Sequence, residues 1–170
     1  MSALWIVVGL VALQRLGELA YARRNTRRLM AEGAVEEGAG HYPLVVAVHA
    51  AWLLSMVLLI PADAPVVWPL LGLFILLQGG RLWVIASLGR FWTTRIITLP
   101  GAPLVRRGPY RFLKHPNYLV VAAEIAALPL AFGAWEIALV FSILNAAVLA
   151  QRIRVENATL AARMDDPSAS

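Results

Sequence analysis

The residues best equipped for chemistry lie in one stretch, Arg106-Arg107-Gly108-Pro109-Tyr110-Arg111-Phe112-Leu113-Lys114-His115-Pro116-Asn117-Tyr118. Gly108-Pro109 encodes a turn. Pro116 has the fixed φ that suits the first position of a helix, and it drives His115 out of the helical region. His115 is therefore expected at the N-terminal mouth of a helix, where unpaired backbone N–H groups and the positive end of the dipole favour a carboxylate or phosphate. Lys114, Arg111 and Arg107 add charge to that mouth. The same residue types also suit an interfacial anchor, with Tyr and Arg at headgroup level.

Two polar stripes accompany this loop. Asn145, Arg152 and Glu156 stand at i, i+7 and i+11 and share one face of a helix. Arg152 and Glu156 taken alone read as a surface i,i+4 ion pair, but Asn145 extends the stripe into the apolar part of the helix. Gln14, Glu18, Tyr21 and Asn25 recur at i, i+4, i+7 and i+11, with Arg15 placed to pair with Glu18. Ionisable groups at membrane depth are costly unless paired or solvated, so this face is either glue between helices or the polar wall of a cavity. Gln78 and Arg81 lie close on a third helix beside Gly79-Gly80, which admits close approach of another backbone. His49 and Glu124 are isolated and read as interior hydrogen-bonding groups. No metal site is expected: His41 and His49 have no carboxylates at ligand spacing.

The elements that must position these residues are apolar. The chain has 170 residues, 60% hydrophobic and 15% charged, with a mean hydropathy of +0.70, whereas an ordinary soluble domain carries roughly 25% charged residues. Five apolar stretches approach spanning length, at 3–22, 43–60, 66–86, 118–132 and 135–150. The expected fold is a single all-α integral membrane domain over 1–170. Three spans fill 1–86, a long polar loop covers 87–117, a tight helical hairpin covers 118–150, and a tail runs from 151 to 170. Gly133-Ala134 joins the hairpin, and Pro129 is placed to kink its first arm. Residues 1–12 lack a basic leader, so the first span reads as a retained anchor.

Charge placement gives an orientation. The cations concentrate in the connection after the first span, in 87–117 and in the tail, whereas 61–65 and the Gly133 turn carry no Lys or Arg. The positive-inside pattern then puts the N-terminus outside, with the loop and C-terminus in the cytoplasm, in a bacterial inner membrane. A net charge of +5 confined to loops flanking apolar spans argues against nucleic acid as a partner. The absence of cysteine excludes disulfides, thiol nucleophiles and Cys-ligated metals. The standard hydrolase, nucleotide-triphosphate and dinucleotide signatures are missing too.

The His115 segment resembles the R-H-P-x-Y signature of the isoprenylcysteine carboxyl methyltransferase family of integral membrane enzymes. It is preceded by that family's G-x-Y element and followed, one hairpin later, by an R-[IV]-x-x-E-E element, here Arg152-Ile153-Arg154-Val155-Glu156-Asn157. The resemblance covers residues 82–160. Gln14-Arg15 with Glu18, Gly89-Arg90-Phe91-Trp92-Thr93 and His41-Tyr42-Pro43 are most similar to a small bacterial branch. That branch methylates hydroxyls on long-chain polyketides such as alkylpyrones and alkylresorcinols. Lys114 stands where Arg is usual, and Asn157 replaces the second Glu.

The resemblance implies S-adenosyl-L-methionine as methyl donor, a lipophilic acceptor entering from the bilayer, and contact with membrane lipids. It implies that His115 and Tyr118, with Tyr110, Lys114 and Pro116, hold the cofactor, and that Arg152 and Glu156 lie at the methyl-transfer site. Asn145, Gln14 and Glu18 are the expected substrate-side residues. A prenylcysteine-like carboxylate is already ionised, whereas a resorcinol needs a base, for which Glu156 and His115 are the candidates. Two other readings stay open: a phospholipid headgroup N-methyltransferase, and a non-enzymatic assembly or transport subunit whose basic loops bind anionic lipid.

Overall fold

A computed structural model describes residues 2–164. It contains five helices, α1 (Ala3–Ala31), α2 (Tyr42–Leu59), α3 (Trp68–Leu88), α4 (Pro116–Leu130) and α5 (Trp135–Met164). Two short strands, β1 (Val35–Glu37) and β2 (Ile96–Thr98), pair antiparallel with Val35 opposite Thr98.

Four of these helices, all but α4, are long and apolar enough to cross a membrane. The fifth expected span falls short: α4 has 15 residues, about 22 Å at 1.5 Å per residue, against a hydrocarbon core of about 30 Å. Pro129 sits in the last turn of α4, so it marks the end of the helix instead of kinking its middle. The hairpin itself is present, turning at Gly133 with φ +71°.

The bundle is apolar both in its core and on its exterior. Trp52 and Met56 of α2, Phe74 of α3, and Ile125 and Leu128 of α4 form a core with Leu4 and Val8 of α1. Outside it, Leu13, Leu58 and Leu76 are 66%, 68% and 72% exposed, an apolar exterior that only lipid would cover without penalty.

One polar cluster ties this apolar bundle together. The Arg81 guanidinium on α3 grips Glu18 of α1 with two bonds of 2.7 Å, and its third nitrogen donates to Glu124 of α4 at 3.2 Å. Arg15 of α1 donates to the same two carboxylates, at 3.0 Å to Glu18 and 2.8 Å to Glu124. Gln14 and Gln78 complete the set, donating to Glu18 and Glu124 at 3.0 and 2.9 Å. The expected Arg15–Glu18 pair is therefore present. Glu124 is not isolated as its sequence context implied; at 1% exposure it is the buried anion that two arginines share.

The two ends of the bundle differ. At one end the turn before α3 meets the α4–α5 turn through the Val67 N–H bond to the Ala131 carbonyl, 2.8 Å. At the other the β1–β2 ribbon joins the two basic connections. Arg95 pairs with Glu36 at 2.8 Å, Arg90 pairs with Glu32 at 2.6 Å, and Asn25 of α1 donates to the carbonyls of Gly89 and Trp92. The ribbon departs from the purely helical expectation. So does the segment after residue 150: it contains no Gly or Pro through Met164 and continues α5. Residues 165–170 of the expected tail lie outside the described residues.

Removing one member of a buried ion-pair cluster leaves the others uncompensated, which costs about 3–5 kcal/mol. Glu124→Leu is expected to lower the melting temperature of the detergent-solubilised protein accordingly. Substitution of exposed Glu32 by Ala, which breaks a surface pair, should cost less than about 1 kcal/mol.

Candidate active site

Gly108 starts the turn that brings the basic loop back to the bundle. Its φ is +58°, and a Cβ there would lie 2.0 Å from the Ser87 hydroxyl, so only glycine lets the loop close onto α3. Arg107 fastens the turn by donating to the Ser87 carbonyl at 2.7 Å. Tyr110 follows, packed against Ala22, Val84 and Trp92. Burial pushes its phenol up, and the Glu156 carboxylate adds to the shift; its hydroxyl is therefore protonated at physiological pH.

His115 is the residue preceding α4, with φ −130° and ψ 59°, and Pro116 occupies the first helical position. The His115 ring stacks on Tyr118 with centroids 5.3 Å apart. Its Nε2 bonds Asn157 Oδ1 at 3.1 Å, and its Nδ1 lies 3.7 Å from Glu156. Asn157, the departure from the family pattern, thus holds the histidine against α5. Tyr118 accepts from Arg152 Nε at 2.9 Å and donates to Glu156. Arg152 and Glu156 are consequently linked through a phenol from another helix, not as a simple surface pair.

Two cavities meet at this cluster. The first, about 340 Å³, lies under the loop. Its polar lining includes Tyr110, Lys114, His115 and Glu156, and apolar Leu29, Leu88, Ile96 and Leu99 line it too. The second, about 360 Å³, lies between α1 and α2. Leu16 and Val46, both on its lining, are exposed on the lipid-facing exterior. Its inner wall carries His49, Glu18, Arg15 and Arg81. Both cavities are lined by Trp92, Thr93, Asn117, Tyr118 and Arg152, which form a common wall. On that wall Trp92 Nε1 and Asn117 Oδ1 are buried with no hydrogen-bond partner among the described residues, a donor and an acceptor left open to whatever fills the space.

The sequence-derived candidates separate accordingly. His115, Tyr118, Arg152 and Glu156 come together, with Tyr110 and Lys114 on the first cavity. Pro116 is buried and shapes the helix start. Glu18 lines the second cavity, and Gln14 stands behind it as a hydrogen-bond donor. Asn145 is not brought to the cluster: it is 2% exposed and absent from the described lining of both cavities. Sequence reasoning gave no role to Asn117, which adjoins the His115-Pro116 pair, and set His49 aside as a satisfied interior group.

Among the described residues there is no group of three or more His, Cys, Asp or Glu side chains that could hold a metal ion. The residues 70–162, more than half the chain, match the description of the isoprenylcysteine carboxyl methyltransferase (ICMT) family. The chain is 38% identical over 160 residues to the uncharacterized protein YpbQ of Bacillus subtilis, covering 92% of this chain and 95% of that one. It is 28% identical over 153 residues to an uncharacterized protein of Haemophilus influenzae, covering 86% and 88%. No solved structure matches. With its apolar spans, its His115–Tyr118–Arg152–Glu156 cluster and this match, the chain belongs to the isoprenylcysteine carboxyl methyltransferase family, a family of methyltransferases.

Proposed function

We propose that this protein is an integral membrane S-adenosyl-L-methionine-dependent O-methyltransferase whose acceptor is a lipophilic molecule drawn from the bilayer, a long-chain polyketide hydroxyl such as an alkylpyrone or alkylresorcinol, or a prenylcysteine-like carboxylate. The observation that carries this reading is the common wall: a loop-covered polar cavity and an apolar cavity bordered by the exterior of the bundle share Tyr118, Arg152, Asn117, Trp92 and Thr93.

The residues of the loop cavity fit the donor. Its volume of about 340 Å³ falls in the range of about 300–1,000 Å³ usual for small-molecule sites. The start of α4, with Lys114 beside it, suits a carboxylate. Glu156 suits an ammonium, the Leu29, Leu88 and Ile96 side chains suit an adenine face, and Asn117 Oδ1 and Trp92 Nε1 offer unpaired polar atoms. The cofactor, when bound, supplies an electrophilic methyl group on a sulfonium.

The chain's own part is binding, orientation and exclusion of water. Arg152 stays charged at any relevant pH and is placed to hold an anionic acceptor oxygen on the common wall. Tyr118 fixes the Arg152 guanidinium through its hydroxyl and is itself held by Glu156 and by stacking on His115. The apolar groove between α1 and α2 accommodates a hydrocarbon tail, as Leu16, Leu19, Val46 and Leu53 line it. The membrane supplies the acceptor, and the basic loop and the C-terminal end of α5 face the cytoplasm, where the donor is made.

Calorimetric titration with S-adenosylhomocysteine tests the donor site. The wild type should bind, and His115→Ala should weaken binding at least about tenfold, the loss of about 1.4 kcal/mol; no binding by folded wild-type protein would remove the reading. In turnover assays with an alkylpyrone and an alkylresorcinol, Arg152→Ala and Glu156→Gln should each lower the rate by about 10²–10³-fold, the scale of a lost transition-state contact, with melting temperature preserved.

The chain contains no cysteine, which makes orientation directly measurable. A membrane-impermeant maleimide added to intact cells should label Asp63→Cys, on the turn between α2 and α3, and leave Arg28→Cys, at the basic end of α1, unlabelled until the membrane is opened. The opposite pattern would invert the proposed orientation.

A further inference from the structure

The cavity between α1 and α2 contains a group that the methyl-transfer cluster does not use. His49 lies on its lining, on the same side of α2 as the core residues Trp52 and Met56, three and seven residues further along. Its Nδ1 bonds the Val45 carbonyl at 2.8 Å. A carbonyl oxygen can only accept, so Nδ1 carries the proton and the neutral ring has its lone pair at Nε2. No described residue bonds Nε2, and it is not among the buried unpaired atoms.

The other oxygen-bearing titratable groups of this cavity are committed. The Glu18 carboxylate takes four hydrogen bonds, two from Arg81 and one each from Arg15 and Gln14. The Tyr42 hydroxyl is bonded to Thr94 at 3.1 Å, and the Tyr118 hydroxyl is held between Arg152 and Glu156. Arg15, Arg81 and Arg152 stand close enough for their charges to bear on the His49 ring, and as cations they cannot take a proton. His115 and Glu156, the bases expected from sequence, line the other cavity and not this one.

We infer that His49 is the general base of this enzyme for weakly acidic hydroxyl acceptors, taking the hydroxyl proton on Nε2 inside the acceptor cavity. The inference rests on the methyltransferase reading above and assigns its proton. As the acceptor oxygen gains its bond to the methyl carbon, the carbon–sulfur bond breaks with its electron pair left on sulfur. The O–H bond breaks toward Nε2, and the imidazolium then releases the proton to water. The balance is one hydroxyl and one sulfonium giving one methyl ether, one thioether and one proton. Backbone anchoring of Nδ1 fixes both the tautomer and the ring plane, the service that a carboxylate performs for histidine bases elsewhere. Carboxylate acceptors, and hydroxypyrones acidic enough to arrive ionised, need no such base.

The test compares the wild type and His49→Gln, as full-length protein with S-adenosylmethionine, on two long-chain acceptors: an acidic hydroxypyrone and a weakly acidic resorcinol. Near neutral pH the variant should lose resorcinol methylation on the order of 10²–10⁴-fold. It should recover as pH approaches the phenol's own ionisation near about 10. It should keep hydroxypyrone methylation within about threefold and bind S-adenosylhomocysteine like the wild type. In the wild type alone, kcat/KM for the resorcinol should rise through the imidazole range and then level off, while that for the hydroxypyrone should lack this limb; this reading does not depend on the variant folding. The groups facing His49 that could reshape the profile are Arg15 and Glu18 of α1, Tyr42 of α2, Arg81 of α3, Tyr118 of α4 and Arg152 of α5. Equal loss on both acceptors, or resorcinol turnover at the wild-type rate, overturns the assignment. A wild type that binds no S-adenosylhomocysteine and methylates neither acceptor overturns the methyltransferase reading itself.

Discussion

The buried cluster of Arg15, Glu18, Arg81 and Glu124 is the constraint on which the arrangement of helices depends. Between apolar helices in lipid there is little hydrophobic preference for one packing over another, because a leucine is as well accommodated by acyl chains as by its neighbour. Charged groups remove that indifference. Each of the two carboxylates accepts from both arginines, and one carboxylate lies on α1 and the other on α4, with Arg81 on α3 between them. A rotation or a one-turn slip of any of these three helices would leave a charge unpaired in a medium that penalises it severely. The formal charges sum to zero, so the cluster fixes register without leaving a field of its own across the bundle.

That register also shapes the space between the helices. Arg15, Glu18 and Arg81 form one wall of the cavity between α1 and α2, and Arg152 and Tyr118 form another. Since these three are tied to one another and to Glu124, with only Arg15 Nε left without a partner among them, they give the cavity polarity while their charges are already balanced. Arg152 has a different relation to its surroundings. Its Nε is held by the Tyr118 hydroxyl, a neutral partner, and its carboxylate neighbour Glu156 is one phenol removed. A guanidinium oriented by a neutral group keeps more of its charge available for an incoming anion than one already locked in a bidentate pair such as Arg81–Glu18. The two kinds of arginine, structural and available, are distinguished by their partners and not by their burial, since Arg81 and Arg152 are nearly equally buried, at 7% and 8%.

Much of this was legible in the sequence, within limits set by what periodicity reports. The stripe of Gln14, Glu18, Tyr21 and Asn25 follows the inward face of α1 except at Tyr21, which is exposed, and spacing within one helix does not say which face of another helix it meets. Glu124 looked isolated because its partners are 43 and 109 residues away. The His115 loop could be placed at a helix start because proline chemistry is local. The β1–β2 ribbon escaped because three-residue strands carry too short a pattern to register as alternation. The end of α5 was read as a tail from its polarity, though its lack of any breaker permits the helix that forms. Asn145 shows the converse failure: it shares the direction of Arg152 along α5, yet seven residues is about 10 Å of rise, enough to leave it buried in the packed bundle while Arg152 reaches the cavities. His49 was assigned correctly at one nitrogen and missed at the other, because composition cannot separate a ring satisfied on both edges from one satisfied on Nδ1 alone.

On the proposed reading, the location of His49 bears on why a site between the apolar helices would suit the reaction. Methyl transfer needs its two reactants aligned and water kept out, and two cavities that share a wall would serve the first of these needs. Proton removal has a different requirement, a base that touches the acceptor oxygen from a side the donor does not occupy. On the proposed reading the loop cavity would hold the donor and the cavity between α1 and α2 the acceptor, with the reacting atoms meeting at the common wall. A base on the donor's side, such as Glu156 or His115, would have to reach past the common wall to touch the hydroxyl proton. A base on α2 would already stand within the compartment proposed for the acceptor. Separation of such a base from the Arg152–Tyr118–Glu156 cluster would also spare Tyr118 from proton traffic, leaving its hydroxyl to hold Arg152 in place. On this reading acceptor acidity need not be matched by changes in the His115–Tyr118–Arg152–Glu156 cluster: a residue on α2 would set which hydroxyls react, while the elements from α3 to α5 would set that methyl transfer is the reaction.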